Sequence, residues 1–129
     1  FPIDENDWEF IPKTLEHAIG FQKLGYKIII VSNQGGIETG QEKIERFVNK
    51  WNNVNTAAHD QGLHIDQLYF CPKMKDYRRK PSPGMAYEAA VKFELDLNGS
   101  IMVGDQKSDE FFAENSGIGR FYYTADFNS

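Results

Sequence analysis

The stretch Ile101-Met102-Val103-Gly104-Asp105-Gln106-Lys107-Ser108-Asp109 decides the fold of this 129-residue chain. Three apolar residues run directly into a Gly-Asp pair, which is the pattern of a buried strand ended by a turn. Residues 109–116 are mostly helix formers and include the apolar Phe111, Phe112 and Ala113. The stretch therefore predicts a strand, a loop and a helix, with two carboxylates at or just beyond the carboxyl end of the strand.

These two carboxylates, Asp105 and Asp109, are candidate ligands of a Mg²⁺ ion. Open parallel sheets bind ligands beside the carboxyl ends of their strands. Magnesium takes one or two protein carboxylates and keeps most of its waters. The simpler interpretation is that Asp109 only accepts hydrogen bonds from N–H groups in the first turn of the helix. The short pattern alone leaves both interpretations open.

The bulk properties of the chain are those of one ordinary globular domain. Its length fits a single domain, 40% of its residues are hydrophobic and 26% are charged. The net charge of −5 argues against a general nucleic-acid-binding surface, but it is compatible with a local basic patch. No run of residues is long enough to cross a membrane. We expect a monomer without a membrane partner.

The chain has one cysteine, Cys71, which excludes an intrachain disulfide and a zinc site built from several cysteines. A single cysteine fits a reducing compartment, so we expect a cytoplasmic location.

Apolar periodicity and turn residues predict strands that alternate with helices. Strands are expected at residues 26–31, 65–71, 100–103 and 120–123, and helices at residues 12–24, 41–61, 83–95 and 108–116. The second of these helices is expected to place Ile44, Phe47, Val48, Trp51 and Val54 on one apolar face. Such an alternation is typical of the α/β class with a parallel sheet and right-handed crossovers.

Polar residues follow three of the predicted strands at their carboxyl ends. Ser32 and Asn33 end the first, a basic loop with Lys80 follows the second, and Asp105 ends the third. Parallel strands bring these ends to one edge of the sheet. Hydroxyl and N–H groups bind phosphate oxygens, a cation offsets their charge, and a metal ion bridges phosphate to carboxylate. The combination predicts a phosphate site.

Each part of this combination also has a simpler interpretation. Ser32-Asn33 is compatible with an ordinary turn, and Arg78-Arg79-Lys80 with a solvated basic face. The three parts in this order, each at a strand end, favour the phosphate site over these alternatives.

Three stretches resemble the second, third and fourth motifs of the haloacid dehalogenase (HAD) superfamily. They are Val31-Ser32-Asn33-Gln34-Gly35-Gly36-Ile37, Arg79-Lys80-Pro81-Ser82-Pro83-Gly84-Met85 and Val103-Gly104-Asp105-Gln106-Lys107-Ser108-Asp109. The resemblance is narrower still to the minimally capped phosphatases: histidinol-phosphatase, heptose-bisphosphate phosphatase and polynucleotide 3′-phosphatase. Further similarity to this branch lies in Ala113-Glu114-Asn115-Ser116-Gly117-Ile118, and in Phe1-Pro2, Asp7-Trp8 and Ile11-Pro12.

The resemblance implies a Rossmann-like three-layer α/β/α fold without a large cap domain, which fits the short segment between residues 34 and 41. It implies that Ser32 binds the transferring phosphoryl group, together with backbone N–H groups at Asn33. Lys80 would neutralise an aspartyl-phosphate and its transition state, and Arg79 would help to hold the substrate phosphate. Asp105 would ligate Mg²⁺, and Asp109 would support the metal site through water or through a hydrogen bond to Lys80.

The first motif of the superfamily, an apolar strand ending in Asp-x-Asp, is absent from this sequence. Its two aspartates supply the nucleophile and the general acid/base. The stretch Asp4-Glu5-Asn6-Asp7 is no substitute, because no apolar strand precedes it. We expect one HAD-like phosphatase domain over residues 1–129 whose nucleophile strand lies upstream of Phe1. Residues 1–11 would then form an extended loop that pins Trp8 and Phe10 onto the domain.

The cysteine/histidine zinc loop of some relatives also has no counterpart here. The corresponding loop begins at Cys71 and contains no histidine, so we expect no structural zinc. His17, His59 and His64 lack ligand spacing to Cys71 and are expected at the surface or at helix ends.

Two functions follow as alternatives. The first is a Mg²⁺-dependent phosphatase that acts on a phosphomonoester through an aspartyl-phosphate. Its substrate would be a sugar or polyol phosphate, or a polynucleotide 3′-phosphate. The acidic balance and the lack of an obvious aromatic stacking platform favour the first, and the basic loop at residues 73–80 favours the second. The second is a non-catalytic phosphate-binding or interaction module that lacks the nucleophile.

Overall fold

The computed structural model of the chain describes residues 10–128. Strands and helices alternate along this part, as the sequence predicts. The strands are β1 (Ile29–Asn33), β2 (Gln67–Cys71), β3 (Ile101–Gly104) and β4 (Arg120–Tyr123). The helices are α1 (Pro12–Lys23), α2 (Gly36–Thr39), α3 (Ile44–Asp60), α4 (Gly84–Phe93), α5 (Lys107–Ser116) and α6 (Thr124–Phe127), with a 3₁₀ turn at Leu97–Gly99. The loop prediction for residues 1–9 lies outside the described residues.

The strands form two hydrogen-bonded pairs, β1 with β2 and β3 with β4. The second pair is parallel, with Ile101 opposite Arg120 and Gly104 opposite Tyr123. The backbone hydrogen bonds at the two ends of the first pair indicate that its strands also run in the same direction. Asp66 N–H donates to the Ile28 carbonyl at 2.8 Å, and Gln34 N–H donates to the Cys71 carbonyl at 2.7 Å. The carboxyl ends of β1 and β2 therefore lie side by side, and so do those of β3 and β4.

The first strand lies further along the chain than its apolar run predicts. We expected it at residues 26–31, with Ser32 and Asn33 in a turn, but β1 covers Ile29–Asn33. The N–H of Ile28 donates to the carboxylate of Asp66 at 2.8 Å instead of to a strand neighbour. At the other end, backbone pairing continues to Gln34. Ser32 and Asn33 are therefore held in extended backbone at the strand end.

Helix α3 begins three residues later than predicted, and its buried face is different. Phe47, Lys50 and Ala58 are its buried residues, whereas Ile44 and Val48 are exposed by 46% and 41%. The apolar face predicted from the sequence is therefore only partly buried. The Lys50 ammonium is buried and lies 3.9 Å from a carboxylate oxygen of Glu42, on the segment before the helix. The charged residue Lys50 thus lies on the buried side of α3, a position that apolar periodicity cannot predict.

The chain divides into two compact units. Within the described residues, the first contains residues 10–30 and 35–68. Its core is a cluster of the buried residues Ala58, Leu63 and Ile65. Partly buried side chains from α1, β1, α3 and the residues just before α1 and β1 pack on this cluster: Phe10, Leu15, Ala18, Ile19, Ile28, Ile30 and Trp51. The core of this unit thus joins α1 and α3 to the start of β1.

The second unit contains residues 31–34 and 69–128. Its core is formed by Cys71, Met85, Ala86 and Phe112, all nearly inaccessible to solvent. Val31, Tyr69, Leu97, Met102 and Ile118 pack against this cluster. All residues that the sequence assigns to the phosphate and metal site belong to this unit. None of the helices in residues 10–128 is long and apolar enough to cross a membrane.

Strand β3 ends at Gly104, where the backbone passes very close to the first turn of α5. A Cβ atom at Gly104 would lie 2.5 Å from both the Cβ and the Oδ2 of Asp109. Asp109 is buried, and its Oδ2 accepts hydrogen bonds from the N–H groups of Asp105 and Gln106 at 3.1 and 3.2 Å. The carboxylate cannot move away from an added Cβ without losing these bonds, so only glycine fits at this strand end.

We predict that Gly104→Ala lowers the free energy of unfolding by about 1–3 kcal/mol, the usual range for overpacking. The matched control is Gly20→Ala in α1, where an added Cβ meets no atom within 4 Å. Alanine is the better helix former, so this control should stabilise the protein by about 0.5–1 kcal/mol. Urea unfolding followed by circular dichroism measures both changes. Equal effects of the two substitutions would contradict the close packing at Gly104.

Candidate active site

The site is built around the side chain of Lys80, which lies in the loop between β2 and α4. Its Nζ donates to Asp109 Oδ1 at 2.7 Å and to the carbonyl oxygen of Val31 at 3.3 Å. The Lys80 and Asp109 side chains are only 12% and 7% exposed. The ammonium is thus held between the end of β1 and the start of α5. An ammonium has three N–H donors, and contacts within residues 10–128 use two of them, which leaves the third for a ligand.

Asp109 accepts hydrogen bonds both from the residues just before α5 and from the Lys80 ammonium. Its Oδ2 accepts the N–H groups of Asp105 and Gln106, as a first-turn acid does at a helix start. Its Oδ1 accepts the Lys80 ammonium. One carboxylate therefore fixes both the loop after β3 and the cation. Because both oxygens are engaged within the protein, Asp109 is suited to orienting its neighbours, and its predicted role at the metal stays a prediction.

The side-chain amide of Asn33 is directed at the main chain of Lys80. Asn33 Oδ1 accepts the Lys80 N–H at 2.9 Å, and Asn33 Nδ2 donates to the Lys80 carbonyl at 3.0 Å. These bonds join residues 47 positions apart in the sequence. They fasten the loop between β2 and α4, which carries Lys80 and which we call the cationic loop, to the end of β1. Neither periodicity nor the motif pattern signals this contact.

Ser32, the last buried residue of β1, is 9% exposed. Its Oγ accepts a hydrogen bond from Gln34 Nε2 at 2.6 Å. A serine hydroxyl has one donor and two acceptor positions. With one acceptor position occupied by Gln34, the hydroxyl keeps its donor for a ligand oxygen. The sequence pointed to Ser32 but not to Gln34.

The loop that carries the cations is held by contacts within the second unit. The Arg78 guanidinium pairs with the Glu88 carboxylate on α4. The Arg78 N–H donates to the Asp76 side chain at 2.7 Å. Gly84 N–H donates to the Tyr77 carbonyl at 3.1 Å, so the start of α4 is joined to the same loop. The expected substrate-binding residue Arg79 donates from Nη1 to the Lys73 carbonyl at 3.4 Å, which places its guanidinium over this loop.

The Cys71 thiol, at the end of β2, is 1% exposed and donates to the Lys73 carbonyl at 3.7 Å. Among residues 10–128, no three His, Cys, Asp or Glu side chains are grouped so as to hold a metal ion. Cys71 is a core residue in this arrangement.

The carboxylate of Asp105 is exposed at the start of the loop after β3. A carboxylate oxygen is the kind of donor that Mg²⁺ prefers, and one or two protein carboxylates suffice for this ion. Asp105 therefore fits the role of a single carboxylate ligand. The backbone N–H of Asp105, bonded to Asp109, connects this position to the Lys80 ammonium through one side chain.

Two groups near the site have shifted pKa values. Burial raises the pKa of the Tyr69 hydroxyl, and the Glu88 carboxylate raises it further, while Arg78 acts in the opposite direction. The pKa of Lys107, at the start of α5, is raised chiefly by Tyr123 and then by Glu110. The Lys107 Nζ lies 5.9 Å from the centre of the Tyr123 ring. The electrostatic environment of α5's first turn thus favours the charged form of this lysine.

The structure joins Asn33, Lys80 and Asp109 through direct hydrogen bonds and connects Asp105 to them by its backbone. Ser32 precedes Asn33 in β1, and its side chain bonds to Gln34. Arg79 lies on the same loop as Lys80. Two residues that we did not assign from the sequence, Gln34 and Asn115, also belong to the arrangement. Asn115 Nδ2 donates to the carbonyl of Pro81 at 2.9 Å. The Lys80–Pro81 peptide bond is cis.

Comparison with known proteins gives the family. Residues 1–127 match the model of the family described as Polynucleotide kinase 3 phosphatase. The chain is 35% identical over 128 residues to D-glycero-beta-D-manno-heptose-1,7-bisphosphate 7-phosphatase of Vibrio cholerae, covering 90% of this chain and 68% of that protein. It is 34% identical to the D-glycero-alpha-D-manno-heptose-1,7-bisphosphate 7-phosphatase of Photorhabdus laumondii, with 90% and 69% covered. The chain thus spans about two thirds of the length of these relatives.

Solved structures give the same fold. The D,D-heptose 1,7-bisphosphate phosphatase of B. bronchiseptica, complexed with magnesium and phosphate, superposes with a TM-score of 0.84 at 24% identity, covering 93% of this chain and 69% of that chain. A HAD-like phosphatase of Mesorhizobium loti gives 0.84 at 26% identity, with 91% and 61% covered. The predicted α/β, Rossmann-like fold is therefore confirmed. The chain belongs to the HAD superfamily of phosphatases, enzymes that hydrolyse phosphoric monoesters, and within it to the polynucleotide kinase 3 phosphatase family.

Proposed function

We propose that this protein is a Mg²⁺-dependent phosphatase that cleaves a phosphomonoester through an aspartyl-phosphate. The observation that carries the proposal is the position of the Lys80 ammonium, 2.7 Å from Asp109 Oδ1 and 3.3 Å from the Val31 carbonyl. This ammonium is desolvated and fixed, with one N–H donor left for a phosphate oxygen. Phosphoryl transfer depends mainly on such positioning and charge neutralisation.

The serine hydroxyl supplies a second contact to the same group. Gln34 donates to Ser32 Oγ, so the Ser32 O–H is directed away from Gln34 and can donate to a phosphoryl oxygen. Ser32 and Lys80 would then bind different oxygens of one phosphoryl group. Both contacts strengthen as charge develops on those oxygens in the transition state.

Magnesium bound at Asp105 would neutralise phosphate charge and orient the phosphoryl group. Asp109 holds the loop of Asp105 by accepting its N–H. Magnesium and phosphate accompany the solved B. bronchiseptica relative, which supports this assignment of the ion.

We further propose that the nucleophilic aspartate lies upstream of Phe1, since the 129-residue sequence contains no Asp-x-Asp. The attacking carboxylate would form the aspartyl-phosphate as the alcohol of the substrate leaves, and water would then hydrolyse the acyl phosphate. Lys80 would stabilise the negative charge in both steps. The intact gene product is therefore the form in which turnover should be measured.

We predict that the intact protein hydrolyses p-nitrophenyl phosphate with Mg²⁺ and that EDTA abolishes this turnover. Asp105→Asn and Lys80→Ala should each lower kcat/KM by about 100-fold or more, because each removes charge that stabilises the transition state. Matched controls are Asp60→Asn and Lys13→Ala, which change exposed residues of the first unit and should leave turnover unchanged. Full activity of Asp105→Asn would refute its metal role. Phosphate binding without any turnover would favour the non-catalytic module.

The relatives named as heptose-bisphosphate phosphatases favour a phosphorylated sugar as the substrate. A polynucleotide 3′-phosphate is the second candidate, favoured by the family description and by the basic loop. That loop exposes Lys73 and Lys75, and its Tyr77 is 63% exposed. Cations with an accessible aromatic ring can hold a single strand by charge and stacking.

We predict a higher kcat/KM with a heptose 1,7-bisphosphate than with a 3′-phosphorylated oligonucleotide, measured by phosphate release. Tyr77→Ala should then leave the sugar phosphate rate within about twofold, since exposed substitutions away from the chemistry have small effects. Preference for the oligonucleotide, with loss of that preference in Tyr77→Ala and at high salt, would assign the nucleic-acid substrate instead.

A further inference from the structure

We propose that Asn33 is a positioning residue for catalysis, acting through the main chain of Lys80 and not by a side-chain contact with the substrate. The inference rests on the proposed phosphatase function, because it concerns how the catalytic ammonium is held. The resemblance to known motifs suggested a phosphate-binding role at Asn33. The structure points to a different use of its side chain.

Both polar atoms of the Asn33 amide are occupied by one residue. Oδ1 accepts the Lys80 N–H at 2.9 Å and Nδ2 donates to the Lys80 carbonyl at 3.0 Å. One side-chain amide thus bonds to the N–H and to the carbonyl of Lys80, which belong to the two peptide groups on either side of its Cα. The two bonds use one of the two N–H donors and one of the two lone pairs of the Asn33 amide. The arrangement ties the end of β1 to the cationic loop.

The fixation matters because a lysine side chain is a flexible four-carbon stem with a point charge at its end. Its charge can be placed accurately only if the backbone is held as well as the ammonium. Asn33 holds the backbone of Lys80, and Asn115 holds the next carbonyl, that of Pro81, at 2.9 Å. At the far end, Asp109 and the Val31 carbonyl hold the ammonium. Lys80 is therefore fixed at both ends of its side chain.

Loss of the Asn33 amide would leave the N–H and carbonyl of Lys80 without these partners, in a part-buried position. The loop backbone would then shift, and the ammonium would lose its alignment with the developing charge. A displacement of about 1 Å at such a group can lower the rate by about 100-fold. The effect should fall on kcat, since alignment with the transition state is what changes.

The test uses the intact protein with Asn33→Ala and Asn33→Asp. Asn33→Asp has nearly the same size and keeps an acceptor for the Lys80 N–H, but it loses the donor to the Lys80 carbonyl. Asn55→Ala, an exposed site on α3, is the matched control. Turnover of p-nitrophenyl phosphate gives kcat and KM, and amide hydrogen exchange of Lys80 reports the state of its N–H.

We expect Asn33→Ala to lower kcat by about 10–100-fold with KM within about threefold, and to speed exchange of the Lys80 amide. Asn33→Asp should lower kcat less and leave that amide protected, because its acceptor remains. If Asn33→Ala does not fold, as judged by circular dichroism, the kcat of Asn33→Asp and the protection of its Lys80 amide decide whether Asn33 positions Lys80. A raised KM with unchanged kcat would show a substrate contact and overturn the proposal, as would wild-type kcat in both variants.

The amide exchange separates this proposal from the proposed function. A wild-type protein without Mg²⁺-dependent turnover would refute the phosphatase function whatever Asn33 does. Lys80 amide exchange that is the same in wild type and Asn33→Ala would refute the positioning role even in an active enzyme.

Discussion

The buried hydrogen-bonded ion pair between Lys80 and Asp109 is the interaction on which the second unit of this protein depends. Two charges taken from water cost several kcal/mol each, and their attraction offsets this only with good geometry and further hydrogen bonds. Both conditions are met here. The N–O distance is 2.7 Å, the second oxygen of Asp109 accepts two backbone N–H groups, and the ammonium has the Val31 carbonyl as well. The pair thus joins β1, the cationic loop and α5.

The need to hold this ion pair in place explains why glycine and asparagine residues lie around the site. Gly104 leaves room for the Asp109 side chain, and Asn33 and Asn115 hold the peptide groups of Lys80 and Pro81. The Arg78–Glu88 pair fixes the cationic loop to α4. In the described part of the chain, the Lys80 cation is buried and Asp105 is open to solvent.

Much of this could be predicted from the sequence, because apolar runs ended by turn residues mark parallel strands and their ligand-binding ends. The strand predicted at residues 100–103 corresponds to β3 at Ile101–Gly104. Ser32, Lys80, Asp105 and Asp109 were predicted as site residues from their positions at or after strand ends and from the resemblance. The resemblance implied phosphate binding at Asn33, but the sequence does not signal which groups the side-chain amides of Asn33, Gln34 and Asn115 bond to. These contacts became interpretable only from the tertiary structure. The exposed Ile44 and the buried Lys50 show the same limit for α3, where tertiary packing overrides apolar periodicity.

The coupling energy between Lys80 and Asp109, measured in a double-mutant cycle of unfolding free energies, shows whether this ion pair stabilises the protein. The variants are Lys80→Met, Asp109→Asn and the double substitution. We expect the double variant to be more stable than the sum of the single changes by about 1.5 kcal/mol or more, because Asp109→Asn alone leaves a buried, unpaired cation. Single changes that add within about 0.5 kcal/mol would contradict this stabilisation.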